Sequence, residues 1–134
     1  MKFHTIYSLE DAYYQKAVEF YNKQLDVDFF EDSTITKRSL QNNKTENDYV
    51  LIVGIEKENI ISLATAHYEA TTNSAFLVHL LAVVDSNYNE IISQTLNEVE
   101  THLNILSNKV HARDINFLMI EVPKLDNSIL DNQL

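Results

Sequence analysis

The sequence predicts one α/β domain, an α+β arrangement in which a mixed sheet carries helices on both faces. Three observations predict it. Residues 49–56, 60–69 and 75–84 are rich in Val, Ile, Leu and Tyr, each run of strand length and divided from the next by a short polar turn. Behind them, Ile92, Leu96, Val99, Leu103, Leu106 and Val110 recur at alternating spacings of four and three, the period of an amphipathic helix. Helical periodicity also precedes the strand runs, and one more strand run closes the order β-α-α-β-β-β-α-β. A chain of 134 residues is long enough for one core and too short for two. Residues 1–123 are expected to form that domain, with 124–134 a polar tail or the remnant of a further element.

Taken in order, residues 3–7 read as a first strand with Phe3, Thr5 and Tyr7 on one side. Ser8 with Asp11 three residues on is a variant of the capping box, so a helix is expected to start there and run to about Gln24. Leu9, Tyr13, Ala17 and Phe20 give it one apolar stripe, and Tyr14, Val18, Tyr21 and Leu25 a second. Residues 26–32 read as an acidic turn, Ser33 caps a shorter helix through Leu40, and residues 44–48 read as a loop. The turns at Lys57-Glu58-Asn59 and Thr71-Thr72-Asn73-Ser74 are short enough for hairpins, which predicts an antiparallel meander. The third run is apolar on both faces, as a central covered strand would be. Asn87 with Glu90 is another cap signal at the head of the long helix, and residues 115–122 form a fifth strand stopped by Pro123.

Composition removes whole classes of function. Acidic residues outnumber basic ones 20 to 10 for a formal charge of −10, which speaks against nucleic acid and against anionic membrane surfaces as partners. With no Cys there is no disulfide, thiolate nucleophile or Cys-ligated metal. A single Gly cannot build the glycine-rich loops of nucleotide-binding folds. Acidic Glu10 and Asp11 come too early for a secretory leader, and the apolar run 75–84, broken by His79, is too short for a membrane span. A soluble cytoplasmic protein is expected.

Among chemistry-bearing residues, Glu69 and Glu121 lie near strand ends, where a carboxylate raised by burial can act as a general base. His67 and His79 alternate within strands and His111 precedes Asp114 by three, but no helical His pair supports a metal, and none is expected. Asp26, Asp28, Glu31 and Asp32 lack the central Gly and closing Glu of a calcium loop. No Ser sits in a Gly-flanked elbow.

Two stretches carry a family resemblance. Leu81-Ala82-Val83, followed by a polar turn and an amphipathic helix, is similar to the fourth strand and third helix of the GNAT-type N-acetyltransferases, and Glu121-Val122-Pro123 is similar to the end of their fifth strand. The resemblance implies the acyl-CoA N-acyltransferase fold with acetyl-CoA as cofactor. It implies that the backbone of Leu81, Ala82 and Val83 pairs with the pantetheine arm. Asn87, Tyr88 and Asn89 then face the pyrophosphate, and Glu121 or Glu69 deprotonates a small-molecule or peptide amine.

The sequence departs from the family pattern where the anion is held. Set without gaps from Leu81 to Leu96, the family's Arg or Gln falls on Tyr88, its first Gly on Ile91 and its last Gly or Ala on Ser93. Holding a pyrophosphate there needs bare N–H groups and a favourable helix dipole. Ile91 is expected to add bulk, Glu90 puts a carboxylate on the first turn, and no Lys or Arg lies between Lys57 and Lys109. The family also continues into a fourth helix and two more strands, expected here to be missing or shortened. A sheet ending at its fifth strand exposes an edge, which favours a homodimer or completion by another segment. Two functional classes follow: an acetyl-CoA-dependent N-acetyltransferase, or the N-terminal part of one, with impaired cofactor binding; or a non-catalytic scaffold acting through self-association or a protein partner.

Overall fold

The computed structural model describes residues 1–25 and 48–120. They form β1 (Lys2–Thr5), α1 (Tyr14–Leu25), β2 (Asp48–Glu56), β3 (Asn59–Glu69), β4 (Ser74–Ala82), α2 (Tyr88–His111) and β5 (Phe117–Ile120). The strands stand in one five-stranded sheet in chain order. β1 to β4 pair antiparallel, and β5, reached across α2, runs parallel to β4. The mixed sheet and the meander are those expected. The expected turn 26–32, the helix 33–40, the strand end at Val122-Pro123 and the tail 124–134 lie outside the described residues.

Alternation along the strands sends side chains to two cores. On one face Val50, Ile52, Ala64, Ala66, Tyr68, Ala75 and Leu77 meet Val99 and Leu103 of α2. On the other, Leu51, Val53 and Leu63 meet Ile6 and Ala17, Phe20 and Tyr21 of α1. The strands covered on both faces are β2 and β3, not β4: Phe76 and Val78 of β4 are 40% and 45% exposed.

Three local expectations shift. α1 begins at Tyr14, because the Asp11 carboxylate is already engaged, accepting the Tyr13 N–H at 2.9 Å and meeting His4 Nε2 at 2.7 Å. Asn87 is the N-cap residue of α2 but makes no side-chain cap bond; Asp85 Oδ1 accepts the Asn87 N–H at 2.8 Å instead. Glu90 turns along the helix to accept from the Gln94 amide at 3.3 Å, so no capping box forms. The buried stripe of α2 is also rotated from the apolar one, to Ile91, Thr95, Val99, Leu103 and Ser107. Its two hydroxyls are satisfied locally: Thr95 donates to Ser62 Oγ at 2.8 Å or to the Ile91 carbonyl at 2.7 Å, and Ser107 donates to Asn73 Oδ1 at 2.7 Å or to the Arg113 carbonyl.

Asn73 ties the β3–β4 turn to the α2–β5 connection. Its Oδ1 also accepts from Tyr68 at 2.8 Å, its amide donates to the Asp114 carbonyl at 3.0 Å, and its own carbonyl accepts the Asn116 N–H at 2.7 Å. It holds a left-handed φ of 48°, which Asn tolerates better than most residues.

Candidate functional site

The site grows from a bulge in β4. Thr65 of β3 pairs with His79, whereas its neighbour Ala66 pairs with Leu77, so Val78 is an extra residue. One inserted residue reverses the alternation and bends the strand. Before the bulge, Ala75 and Leu77 face α2; after it, Leu80 faces α2 and Leu81 faces α1. His79 is thereby turned to the α1 face.

There it meets hydroxyls at both ring nitrogens. Thr65 Oγ1 lies 2.7 Å from Nδ1, and Tyr21 Oη of α1 lies 3.2 Å from Nε2. The Tyr21 ring stands edge-on to the imidazole, with centroids 4.8 Å apart and an interplanar angle of 89°. Thr65 and Tyr21 are buried and His79 half-buried. An imidazole between two hydroxyls suits both its charge states: neutral, it donates at one nitrogen and accepts at the other; protonated, it donates to both oxygens. The next row on this face carries Tyr49, His67 and Phe76 on neighbouring strands, and the Tyr49 and His67 ring centroids are 6.4 Å apart. Tyr14 of α1 is held neutral above the usual tyrosine range, by burial first and by the charge of Tyr49 second.

The residues expected from sequence fall in three places. Leu81, Ala82 and Val83 close β4, and the Val83 N–H bonds the Ile61 carbonyl at 2.9 Å. Antiparallel alternation then turns Leu81 toward β3 and the backbone groups of Leu80 and Ala82 to the opposite side. Among the described residues no strand pairs with that side beyond Leu77. Asn87, Tyr88 and Asn89 are exposed at the head of α2. Glu69 pairs with Ser74 at the other end of β4, and the strand from Ser74 to Leu81 spans roughly 23 Å at about 3.3 Å per residue. Glu121 lies outside the described residues. Ile91 points inward on the buried stripe, so the bulk expected on the outer turn is absent.

Sequence reasoning weighed His79 as a metal ligand or a packing residue, took Tyr21 only as part of an apolar stripe, and passed over Thr65. Among the described residues, no group of three His, Asp or Glu side chains gathers as a metal site would require. An open groove of about 620 Å³ along α2, lined by Asn104, Asn108, Lys109 and Asp114, lies on other turns of the helix from those that follow β4.

A search of solved structures places this architecture. An aminoglycoside 6'-acetyltransferase type Ii superposes with a TM-score of 0.63 at 9% identity, over 79% of this chain and 66% of that one. A ribosomal-protein-alanine N-acetyltransferase from Brucella melitensis biovar Abortus superposes with a TM-score of 0.56 at 15% identity, over 99% and 89%. An aminoglycoside 6'-N-acetyltransferase complexed with coenzyme A gives 0.61 at 9% identity, over 79% and 57%. The chain has the GNAT acyltransferase fold. It spans less than two thirds of the first and third of these proteins. No protein-family model matches the chain, and no curated protein is similar to it in sequence.

The GNAT fold implies an acyl-CoA, and the residues present fit its two halves differently. The outward backbone of Leu80 and Ala82 suits an amide-bearing arm laid along the strand. At the head of α2, Asp85 takes the Asn87 N–H through its carboxylate and the Tyr88 N–H through its carbonyl at 3.2 Å, and Glu90 is an acid of the first turn, where a diphosphate would meet like charge. Among the described residues no helix is long and apolar enough to cross a membrane.

Proposed function

We propose that this GNAT-fold chain is the core of an N-acyltransferase that transfers an acetyl group from a thioester donor to a small-molecule or peptide amine, with a weakened grip on acetyl-CoA. The observation that carries this reading is His79, set between two hydroxyls directly after the β4 bulge, on the strand whose outer edge beyond Leu77 is unpaired among the described residues. When bound, the donor supplies the acyl group and a thiolate leaving group. Leu80 and Ala82 bind and align its amides. The amine gives its proton to the Tyr21 oxygen as the Tyr21 hydroxyl passes its own to His79 Nε2, and Thr65 holds Nδ1 in place. Desolvation on this face keeps the hydroxyls aimed at the ring rather than at water. His79, and not Glu69 at the other end of the sheet, is the proton acceptor in this proposal.

The test is release of free thiol from acetyl-CoA with a panel of primary amines, for the wild-type chain and for His79→Gln. Loss of a general base typically costs about 10²–10⁴-fold in rate. Turnover that falls by such a factor in His79→Gln, with KM for the amine little changed, supports the assignment; equal rates overturn it. The second reading, a non-catalytic scaffold, is favoured by the two carboxylates at the head of α2 and by Phe117 and Ile120, more than half exposed on β5. Self-association across that edge and a cytoplasmic setting belong to this proposal in either form.

A further inference from the structure

We infer that this chain recognises its donor through the thioester arm alone, so that a short acetyl-pantetheine binds as well as the full coenzyme A thioester. The inference rests on the N-acyltransferase reading above. Two observations carry it from different parts of the fold. The first is the edge of β4. With Val83 bonded to Ile61, the N–H and C=O groups of Leu80 and Ala82 point away from β3. They repeat at about 7 Å, the two-residue repeat of a strand, and offer neutral hydrogen bonds that take no account of a distant charge.

The second is the head of α2. A helix N-terminus attracts an anion through unsatisfied N–H groups and the helix dipole. Here two of the four orphan N–H groups are answered from within the chain, and the dipole meets acids of the same chain. Asp85 takes the N–H groups of Asn87 and Tyr88, and the regular helix bonds begin with the Ile91 N–H on the Asn87 carbonyl at 2.9 Å. Asp85 and Glu90 bring two exposed carboxylates to the same end. Among the described residues, β4, the following turn and the whole of α2 before Lys109 carry no Lys or Arg, and the β2–β3 turn at that end of the sheet sets Lys57 beside Glu58. A diphosphate gains few donors there and meets like charge, whereas the arm loses nothing.

The experiment measures binding by calorimetry, with the full chain titrated by acetyl-CoA, by S-acetyl-pantetheine and by adenosine 3',5'-bisphosphate at low and high salt. Dissociation constants for the first two within about threefold, no heat from the bisphosphate, and acetyl-CoA binding held or tightened by salt are the expected results. Replacing both acids, Asp85→Asn with Glu90→Gln, is then expected to tighten acetyl-CoA by about fivefold and to leave acetyl-pantetheine unchanged. Acetyl-CoA binding more than about tenfold tighter than acetyl-pantetheine and weakening with salt overturns the inference and leaves the N-acyltransferase reading standing. Binding of neither thioester overturns both.

Discussion

Gly54 of β2 packs tightly beside the buried contact between Ser62 of β3 and Thr95 of α2, and Gly54→Ala measures it. A Cβ built there would stand 2.3 Å from Ser62 Oγ and 2.9 Å from Met1 Sδ, both inside van der Waals contact. The Met1 thioether is flexible and exposed, so it can move. Ser62 is wholly buried, and its Oγ accepts from Thr95 at 2.8 Å. Overpacking of this kind costs about 1–3 kcal/mol, and displacing Ser62 adds a share of a buried hydrogen bond, about 0.5–1.5 kcal/mol. The better strand propensity of Ala returns about 0.5–1 kcal/mol, since Gly54 has no left-handed φ to lose. The net expectation is a loss of roughly 1–3 kcal/mol, seen in urea denaturation followed by circular dichroism. For a domain of this size it lowers Tm by about 3–4 °C per kcal/mol. Ser62→Ala removes the colliding atom, while Thr95 keeps the Ile91 carbonyl at 2.7 Å. The Gly54→Ala/Ser62→Ala double variant is therefore expected to lose less than the sum of the two single losses, by about 1 kcal/mol or more. Strict additivity, or a Gly54→Ala chain as stable as the wild type, would refute this account of the packing.

Asn73→Ala leaves the buried hydroxyls of Tyr68 and Ser107 without their shared acceptor and sets at φ 48° a residue that tolerates the left-handed region less well than Asn, for an expected loss of about 2–4 kcal/mol in the same assay. Asn73→Gly separates the two contributions, because it relieves the backbone and not the hydroxyls; identical losses in the two variants would count against a backbone contribution. Tyr14 titrates above its usual 10.0 in the folded chain, so the folded state holds that proton more tightly than the unfolded one. Its contribution is complete below pH 10 and is lost as pH rises through the folded value. Denaturation midpoints are expected to fall above pH 10, and Tyr14→Phe to flatten that fall; an unchanged slope would show that other groups carry it.

The meander, the crossover and the long helix were legible because each rests on a local signal: alternation, turn residues at the hairpins, or a period sustained over many turns. The start of α1 was not, because Ser8 and Asp11 read as a capping pair until His4, from the neighbouring strand, is seen to hold the Asp11 carboxylate. Nor was the buried stripe of α2. Thr95 and Ser107 read as polar, and they enter the core only because Ser62 and Asn73 wait there as partners. Of the proposed site, Leu81 to Val83 were reached through the family resemblance, and the acidic head of α2 from the chain itself. The pairing of His79 with Thr65 and Tyr21 joins positions far apart in sequence and could be reached from neither.

The division follows from what each level of structure depends on. Charge, the scarcity of glycine, helical period and strand alternation are properties of the chain, and they set the class of fold and the absence of a glycine-rich phosphate loop. The bulge at Val78 depends on how β4 registers against β3, a matter of pairing between strands rather than of any residue's own preference. One residue of slippage there turns His79 from the face of α2 to the face of α1, because side chains alternate with a period of two. Only the folded sheet decides that, and the proton-accepting arrangement proposed here depends on it.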